Sequence, residues 1–296
     1  MIQRAGHVAL RVPDLESCVD YAVDHLGLRE AERSDGVSYL THGSAHHSLQ
    51  YIEDDEASFD HMAFEVADAR ALAALRTELE PAGVEFLDEP VEAGVEDAFR
   101  FVGPGGHVFE IYHGMQDDQP SFHATAPAPK LFGHVTVKCE NTDEMREFAE
   151  RHLGFKTSDV IETPGGGFVF MRCNARHHAL AVAPGTDQFH HYAWELQNLA
   201  TLGELADRLG RERMLLWGPG RHGPGHNLFT YHFDPAGAIV EHYADMDLID
   251  SDNHEVGIWP DAPATMNQWG PLPNEDFVGK GLKITDRGRR RGDTAT

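Results

Sequence analysis

Two sets of histidine and glutamate recur along this chain at nearly equal spacing: His7, His61 and Glu110, then His134, His191 and Glu241. The steps are 54 and 49 positions in the first set, 57 and 50 in the second. One histidine on a strand is usually structural, but six residues kept in register are hard to explain by packing alone. Two neutral imidazoles and one carboxylate converging from neighbouring strands make the facial ligand set of non-haem iron(II). That set leaves positions open for a bidentate substrate and dioxygen. Manganese(II) accepts the same donors, whereas zinc more often takes three ligands and a water in a tetrahedron.

Each histidine stands at or near the head of a strand pattern. The segments His7-Val-Ala-Leu-Arg-Val, His61-Met-Ala-Phe-Glu-Val, His134-Val-Thr-Val-Lys-Cys and His191-Tyr-Ala-Trp-Glu-Leu nearly alternate in polarity, as half-buried strands do. The first and third lead to helices that stop at His25-Leu26-Gly27 and His152-Leu153-Gly154. The second and fourth lead to Gly103-Pro104-Gly105-Gly106-His107-Val108-Phe109-Glu110 and Asp234-Pro235-Ala236-Gly237-Ala238-Ile239-Val240-Glu241. The spacing predicts a strand over 7–12, a helix over 17–25 capped by Asp14, and strands over 28–33, 37–41 and 47–52. The next unit repeats this with a strand over 61–66, a helix over 69–79, a stop at Gly83 and strands near 84–87, 98–102 and 107–112.

A β-α-β-β-β module is thus used four times, and its repetition fixes the architecture. The expected fold class is α+β: two domains, each a pair of βαβββ modules sharing one sheet that curls into an open barrel around a cavity. The first barrel spans 1–116 and a polar, Pro/Ala-rich linker 117–130. The second barrel spans 131–246, and an extension with Trp259 and Trp269 spans 247–296. At 296 residues each domain can have its own core. The basic run Arg287-Gly288-Arg289-Arg290-Arg291 reads as a solvated, flexible tail, with anion binding as the alternative.

The 49 acidic and 24 basic residues give a formal charge of -25. Such a surface argues against nucleic acid or an anionic membrane as partner. It suits plain solubility or adaptation to salt. Cys18, Cys139 and Cys173 are odd in number and widely spaced, so buried thiols in a reducing cytoplasm are expected rather than a disulfide scaffold. No apolar run approaches the roughly 18 residues of a membrane span and no signal peptide is evident, so a soluble, cytoplasmic protein is expected.

Several strings around the second set carry a resemblance. They are Arg172-Cys173-Asn174-Ala175-Arg176-His177-His178-Ala179-Leu180-Ala181, the pair His190-His191, Gly218-Pro219-Gly220-Arg221-His222-Gly223-Pro224-Gly225-His226-Asn227, and Tyr231-His232-Phe233-Asp234-Pro235-Ala236-Gly237 before Glu241. Over residues 5–246 the chain resembles the type I extradiol (catechol 2,3-) dioxygenases of the vicinal oxygen chelate superfamily. The resemblance implies that His134, His191 and Glu241 bind Fe(II) or Mn(II), that His178 is the active-site acid/base, and that His222 and Tyr231 bond to substrate hydroxyls or bound oxygen. It also implies a small catecholic substrate, O2 as co-substrate, extradiol cleavage to a muconic semialdehyde-type product, and a homo-oligomer, tetramer or dimer. Register decides the two doublets. Aligning Phe189-His190-His191 with Phe59-Asp60-His61 selects His191, and aligning Ala45-His46-His47 with Arg176-His177-His178 selects His178.

The first barrel departs from the family pattern, in which the N-terminal barrel has no metal. It keeps His7, His61, Glu110 and His47. Ten positions before Glu241 is Tyr231, but ten before Glu110 is Arg100; nineteen before them are His222 and Val91. An inward arginine would repel a dication, so chemistry is expected in the second barrel, with a metal in the first as the alternative. Phe170, Met171 and Trp194 are candidate pocket walls or ordinary core. Two competing readings use the same modules: a glyoxalase- or epimerase-like metal enzyme with a fuller ligand set, and a metal-free ligand-sequestering module.

Overall fold

The structure is a computed structural model, and it describes residues 1–124, 126–250 and 253–286. The basic run at 287–291 lies outside the described residues. The first unit comprises β1 (Ile2–Val12), α1 (Leu15–Asp24), β2 (Arg29–Ser34), β3 (Val37–Thr41) and β4 (Leu49–Glu53). The second comprises β5 (Ser58–Val66), α2 (Ala69–Leu79), β6 (Glu85–Leu87), β7 (Asp97–Val102) and β8 (Val108–His113). The third has β9 (Leu131–Cys139), α3 (Thr142–His152), β10 (Lys156–Thr163), β11 (Gly166–Arg172) and β12 (Leu180–Pro184). The fourth has β13 (Gln188–Glu195), α4 (Leu199–Arg211), β14 (Leu215–Arg221), β15 (Leu228–Phe233) and β16 (Ile239–Ala244).

The four module helices start alike, with Asp14 capping the first as expected though two residues earlier than the spacing suggested. Asp14, Asp68, Asn141 and Asn198 each accept a hydrogen bond from a backbone N–H in the first turn, satisfying donors that the helix itself leaves free. The helices then lie against sheets that each unite two units. The first sheet has the order β2-β3-β4-β1-β5-β8-β7-β6. The second is β14-β15-β16-β13-β9-β12-β11-β10, with one further strand at its end. The end strands of each sheet do not pair with each other, so both sheets remain open.

That added strand is β17 (Gly257–Pro260), which runs parallel to β10. It comes from the extension, which continues through two short helices, α5 (Pro263–Met266) and α6 (Glu275–Gly279). Leu282 then bridges to Phe189 and Ile284 to Phe59, so the extension touches both sheets. The expectation of separate cores does not hold. One apolar cluster runs through both halves, and the Phe59 and Phe189 rings stack across the junction at 4.6 Å. Buried apolar side chains of the two halves meet there, so each half covers part of the other's core. Tyr21 also bonds to His232 across the same junction, at 2.5 Å.

Candidate metal centre and substrate cavity

Strand register brings the three predicted ligands together. On β9 and β13, His134 lies opposite Ala193, and on β13 and β16, Ala193 lies opposite Glu241. Residues opposite one another across a sheet share a face, so His134 and Glu241 flank an alanine too small to separate them. His191 is two positions before Ala193 and therefore shares that face as well. The three side chains are almost wholly buried. His134 Nε2 is 3.0 Å and His191 Nε2 is 3.2 Å from Glu241 Oε2, and the two nitrogens are 3.4 Å apart.

These donors suit one first-row ion. Ligands about 2.1 Å from a shared ion lie roughly 3.0 Å apart at right angles and about 3.4 Å apart in a tetrahedron, and the observed separations fall in that interval. Neighbours hold the set in place. Asn227 Nδ2 donates to the second oxygen of Glu241 at 3.0 Å. Thr136 Oγ1 lies 3.0 Å from His191 Nε2, and His190 Nδ1 lies 2.6 Å from His191 Nδ1. Burial alone would push the Glu241 carboxyl up, but His134 and His191 more than offset that and hold it well below the ordinary range. Burial lowers His191, keeping it a neutral donor.

The remaining predicted residues meet these three around one cavity of about 580 Å³. His178 packs against His134 with ring centres 4.2 Å apart, and burial holds its pKa well below the usual value. His222 Nδ1 donates to the Met266 carbonyl at 2.7 Å, which leaves Nε2 to accept from the Tyr231 hydroxyl at 3.0 Å. Burial lowers His222 to about 4 and, with Glu241 nearby, raises Tyr231 well above 10. Both groups are therefore neutral at physiological pH. The apolar walls include Ile161, Phe168, Phe170, Leu272 and Phe277. Phe170 takes the wall position that the sequence suggested. Met171 and Trp194 do not, because strand alternation turns them into the core.

In the first sheet the same rung exists, with His7 opposite Ala63 and Ala63 opposite Glu110. Its contents differ. Arg100 stands opposite Glu110, as Tyr231 stands opposite Glu241. Its Nε donates to Glu110 at 2.7 Å, and its other nitrogens reach Glu89 and Glu92. Glu92 also comes within 3.1 Å of His7 and 3.2 Å of His61.

Sequence reasoning missed Glu92, Thr136, Asn227 and the Met266 carbonyl. Thr136 carries a readable signal, since it lies two residues after His134 on the same strand face. The others come from loops or from the extension, where no periodicity applies.

The family model described as Glyoxalase/Bleomycin resistance protein/Dioxygenase superfamily matches residues 4–111 and 131–242. The chain belongs to that superfamily. Superfamily relatives include a manganese-dependent 2,3-dihydroxybiphenyl 1,2-dioxygenase of Geobacillus genomosp. 3, 28% identical and covering 79% of this chain and 82% of its own length. A biphenyl-2,3-diol 1,2-dioxygenase of Paraburkholderia xenovorans is 29% identical, covering 81% of this chain and 87% of its own. Among solved structures, a Mn(II)-bound glyoxalase from Novosphingobium aromaticivorans has a TM-score of 0.84 at 28% identity, covering 92% of this chain and 95% of the other. Homoprotocatechuate 2,3-dioxygenase from Brevibacterium fuscum shares the fold with a TM-score of 0.87 at 21% identity, covering 96% and 94%.

Proposed function

We propose that this chain is an extradiol ring-cleaving dioxygenase. It binds a catechol through both hydroxyls, breaks the ring bond beside the diol and places both atoms of O2 in a muconic semialdehyde-type product. One observation carries the reading: His178, His222 and Tyr231 meet His134, His191 and Glu241 around one cavity. Three ligands alone would serve several reactions of the superfamily. The added acid/base and hydroxyl-binding groups are what cleavage beside a diol requires. The ring-cleaving activities of the relatives support it.

In this reading His134, His191 and Glu241 hold Fe(II) or Mn(II). Such an ion would supply Lewis acidity that lowers the pKa of a catechol hydroxyl. Tyr231 keeps its proton and, by giving up its bond to His222 Nε2, can donate to substrate oxygen as charge develops there. His222 has Nδ1–H committed to Met266, so its Nε2 is the face it offers to a hydroxyl. His178 holds and returns the proton that moves during cleavage. The apolar walls favour a catechol with an alkyl or aryl substituent. Lys138 is the one lysine or arginine among the described lining residues, and its ammonium donates to the Val278 carbonyl at 2.7 Å. An anionic substituent would therefore find little to pair with.

The second half, 131–246, is the catalytic domain, 1–116 its structural companion and 117–130 the linker. The part of 247–296 within the described residues covers the cavity through Thr265, Met266, Leu272 and Phe277. A reducing cytoplasm is supported by three unpaired cysteines, and the family resemblance implies a homo-oligomer. Among the described residues no helix is long and apolar enough to cross a membrane.

A glyoxalase-like reading draws on the Novosphingobium structure. It asks for a fuller ligand set, whereas the second-sheet cluster comprises only His134, His191 and Glu241 among the described residues. The deciding experiment supplies Fe(II)- or Mn(II)-loaded protein with 3-methylcatechol, 2,3-dihydroxybiphenyl and a hemithioacetal. Stoichiometric oxygen uptake with a yellow product is expected from the diols. Isomerisation of the hemithioacetal without oxygen uptake from any diol would overturn the reading.

A further inference from the structure

The doublet His177-His178 has one member in the cavity and one behind it, and the hidden member is not idle. His177 Nδ1 lies 3.0 Å from His178 Nδ1. On its other side His177 Nε2 lies 3.1 Å from Asp159 Oδ2, a short but oblique approach. That same carboxylate oxygen accepts from Trp259 Nε1 at 2.8 Å. His177, His178 and Asp159 are all buried.

Proton bookkeeping along this line has one favourable solution. Asp159 Oδ2 already accepts from Trp259 Nε1, so the His177 nitrogen facing that oxygen is best placed as N–H. With a single proton on His177, its other nitrogen accepts, and the 3.0 Å contact then places the proton on His178 Nδ1. Nε2 of His178, a residue that lines the cavity, is left with its lone pair. The opposite arrangement would set two lone pairs against each other at the carboxylate.

The packing closes around this arrangement. Gly225, with φ +69, presses on the His177 ring, and a Cβ there would come within 2.7 Å of His177 Nδ1. Gly257 leaves room for the Asp159 carboxylate, which a Cβ would strike. The first sheet holds the same line: His46 Nδ1 is 3.0 Å from His47 Nδ1, and His46 Nε2 is 3.2 Å from Glu32. There the carboxylate is half exposed, whereas in the second sheet Trp259 of the extension clamps it.

We propose that His177, Asp159 and Trp259 are positioning residues that fix the ring and the Nδ1–H tautomer of His178, so that its Nε2 works on the substrate side. The catalytic consequence rests on His178 being the acid/base proposed above, but the tautomer itself does not.

The test therefore has two arms. In ¹⁵N-imidazole-labelled, Zn(II)-loaded protein, long-range ¹H–¹⁵N spectra report the His178 tautomer, with His178→Asn supplying the assignment. Wild type is expected to show Nδ1–H. His177→Leu is expected to lose that state, and His177→Gln to keep it, since an amide carbonyl can accept from His178. In the Fe(II) enzyme, His177→Leu should lower kcat by about 10–100-fold, the usual effect of removing a partner that orients an active-site group. KM should stay nearly constant, and His177→Gln should recover most of the rate. Should His177→Leu not fold, Trp259→Phe removes one clamp at the outer end and should shift the tautomer in the same direction. An Nε2–H tautomer in wild type, or an Nδ1–H tautomer left unchanged in His177→Leu and in Trp259→Phe, overturns the proposal. Retention of the tautomer pattern in a protein that cleaves no catechol would leave it standing and remove the dioxygenase reading instead.

Discussion

His7, Ala63 and Glu110 in the first sheet form the same cross-strand rung as His134, Ala193 and Glu241 in the second, and the two rungs are completed by opposite means. In the first, Arg100 brings a guanidinium to Glu110 from the facing strand, and Glu92 enters from a loop to meet both histidines. The site holds its own cation. In the second, the facing position carries Tyr231, a neutral phenol, and the buried carboxylate of Glu241 is met by two histidines and an amide. A buried carboxylate with no arginine or lysine beside it favours a cation from outside. The ligand pattern alone therefore does not separate the two sites. The residue facing the glutamate does, a guanidinium in one and a phenol in the other.

The hardest blow to this contrast is a pair of matched substitutions. His191→Ala should lose bound metal and lower kcat/KM by more than about 1,000-fold, since an ion with two protein ligands is held poorly. His61→Ala should leave metal content near one ion per chain and activity within a few-fold, at a cost only in stability. Metal analysis and oxygen-uptake rates read both. Equal losses would mean that the halves share the work. Next in size is His178→Asn, expected to keep its metal while turnover falls by about 100-fold or more, the range for a lost acid/base group. Its counterpart His47→Asn should leave turnover unchanged.

Arg100→Leu sharpens the contrast from the other side. Removing it leaves Glu110 and Glu92 without their cation, which should destabilise the metal-free protein by roughly 3–5 kcal/mol. Added Mn(II) or Zn(II) should then restore much of the loss, with metal content rising from about one to about two per chain. Denaturant unfolding with and without metal checks this. A variant that stays at one ion and gains nothing from metal would show that the first rung is no longer a ligand set.

Much of this arrangement was legible in the residues themselves, for a physical reason. Strand pairing has period two and the module is duplicated, so fixed offsets between His134, His191 and Glu241 translate into a shared face. Arg100 against Glu110 could be read in the same way, because it mirrors Tyr231 against Glu241. Helix starts at Asp14 and Asp68 follow from local capping. What escaped was decided by chain returning from afar. Glu92 and Asn227 sit outside the strands, and the Met266 carbonyl that fixes His222 belongs to an extension with no repeat to align it with. The core shared by both halves was equally hidden, because alternation tells that a face is buried and not what covers it.

The smallest expected effect lies in the pH dependence of stability, and it too compares the halves. Burial lowers His107, in the first half, and His222, in the second, each to about 4. In the unfolded chain both titrate near 6.5, so between about pH 6.5 and 4 the unfolded state binds protons that the folded state refuses. Stability must therefore fall as pH falls through that window, by at most about 1.4 kcal/mol per pH unit for each group, and level off below it. His107→Asn and His222→Asn should each flatten the slope by about one proton, measured against wild type by urea unfolding. Asp234 has the opposite sign. Burial raises it to about 7, so the folded state keeps a proton that the unfolded state releases near 4, and stability falls as pH rises between those values. Asp234→Asn should steepen the wild-type rise where the histidine variants flatten it. The same direction from all three would mean that Asp234 is ionised in the fold, with Tyr192 and the Ala238 N–H supporting the charge.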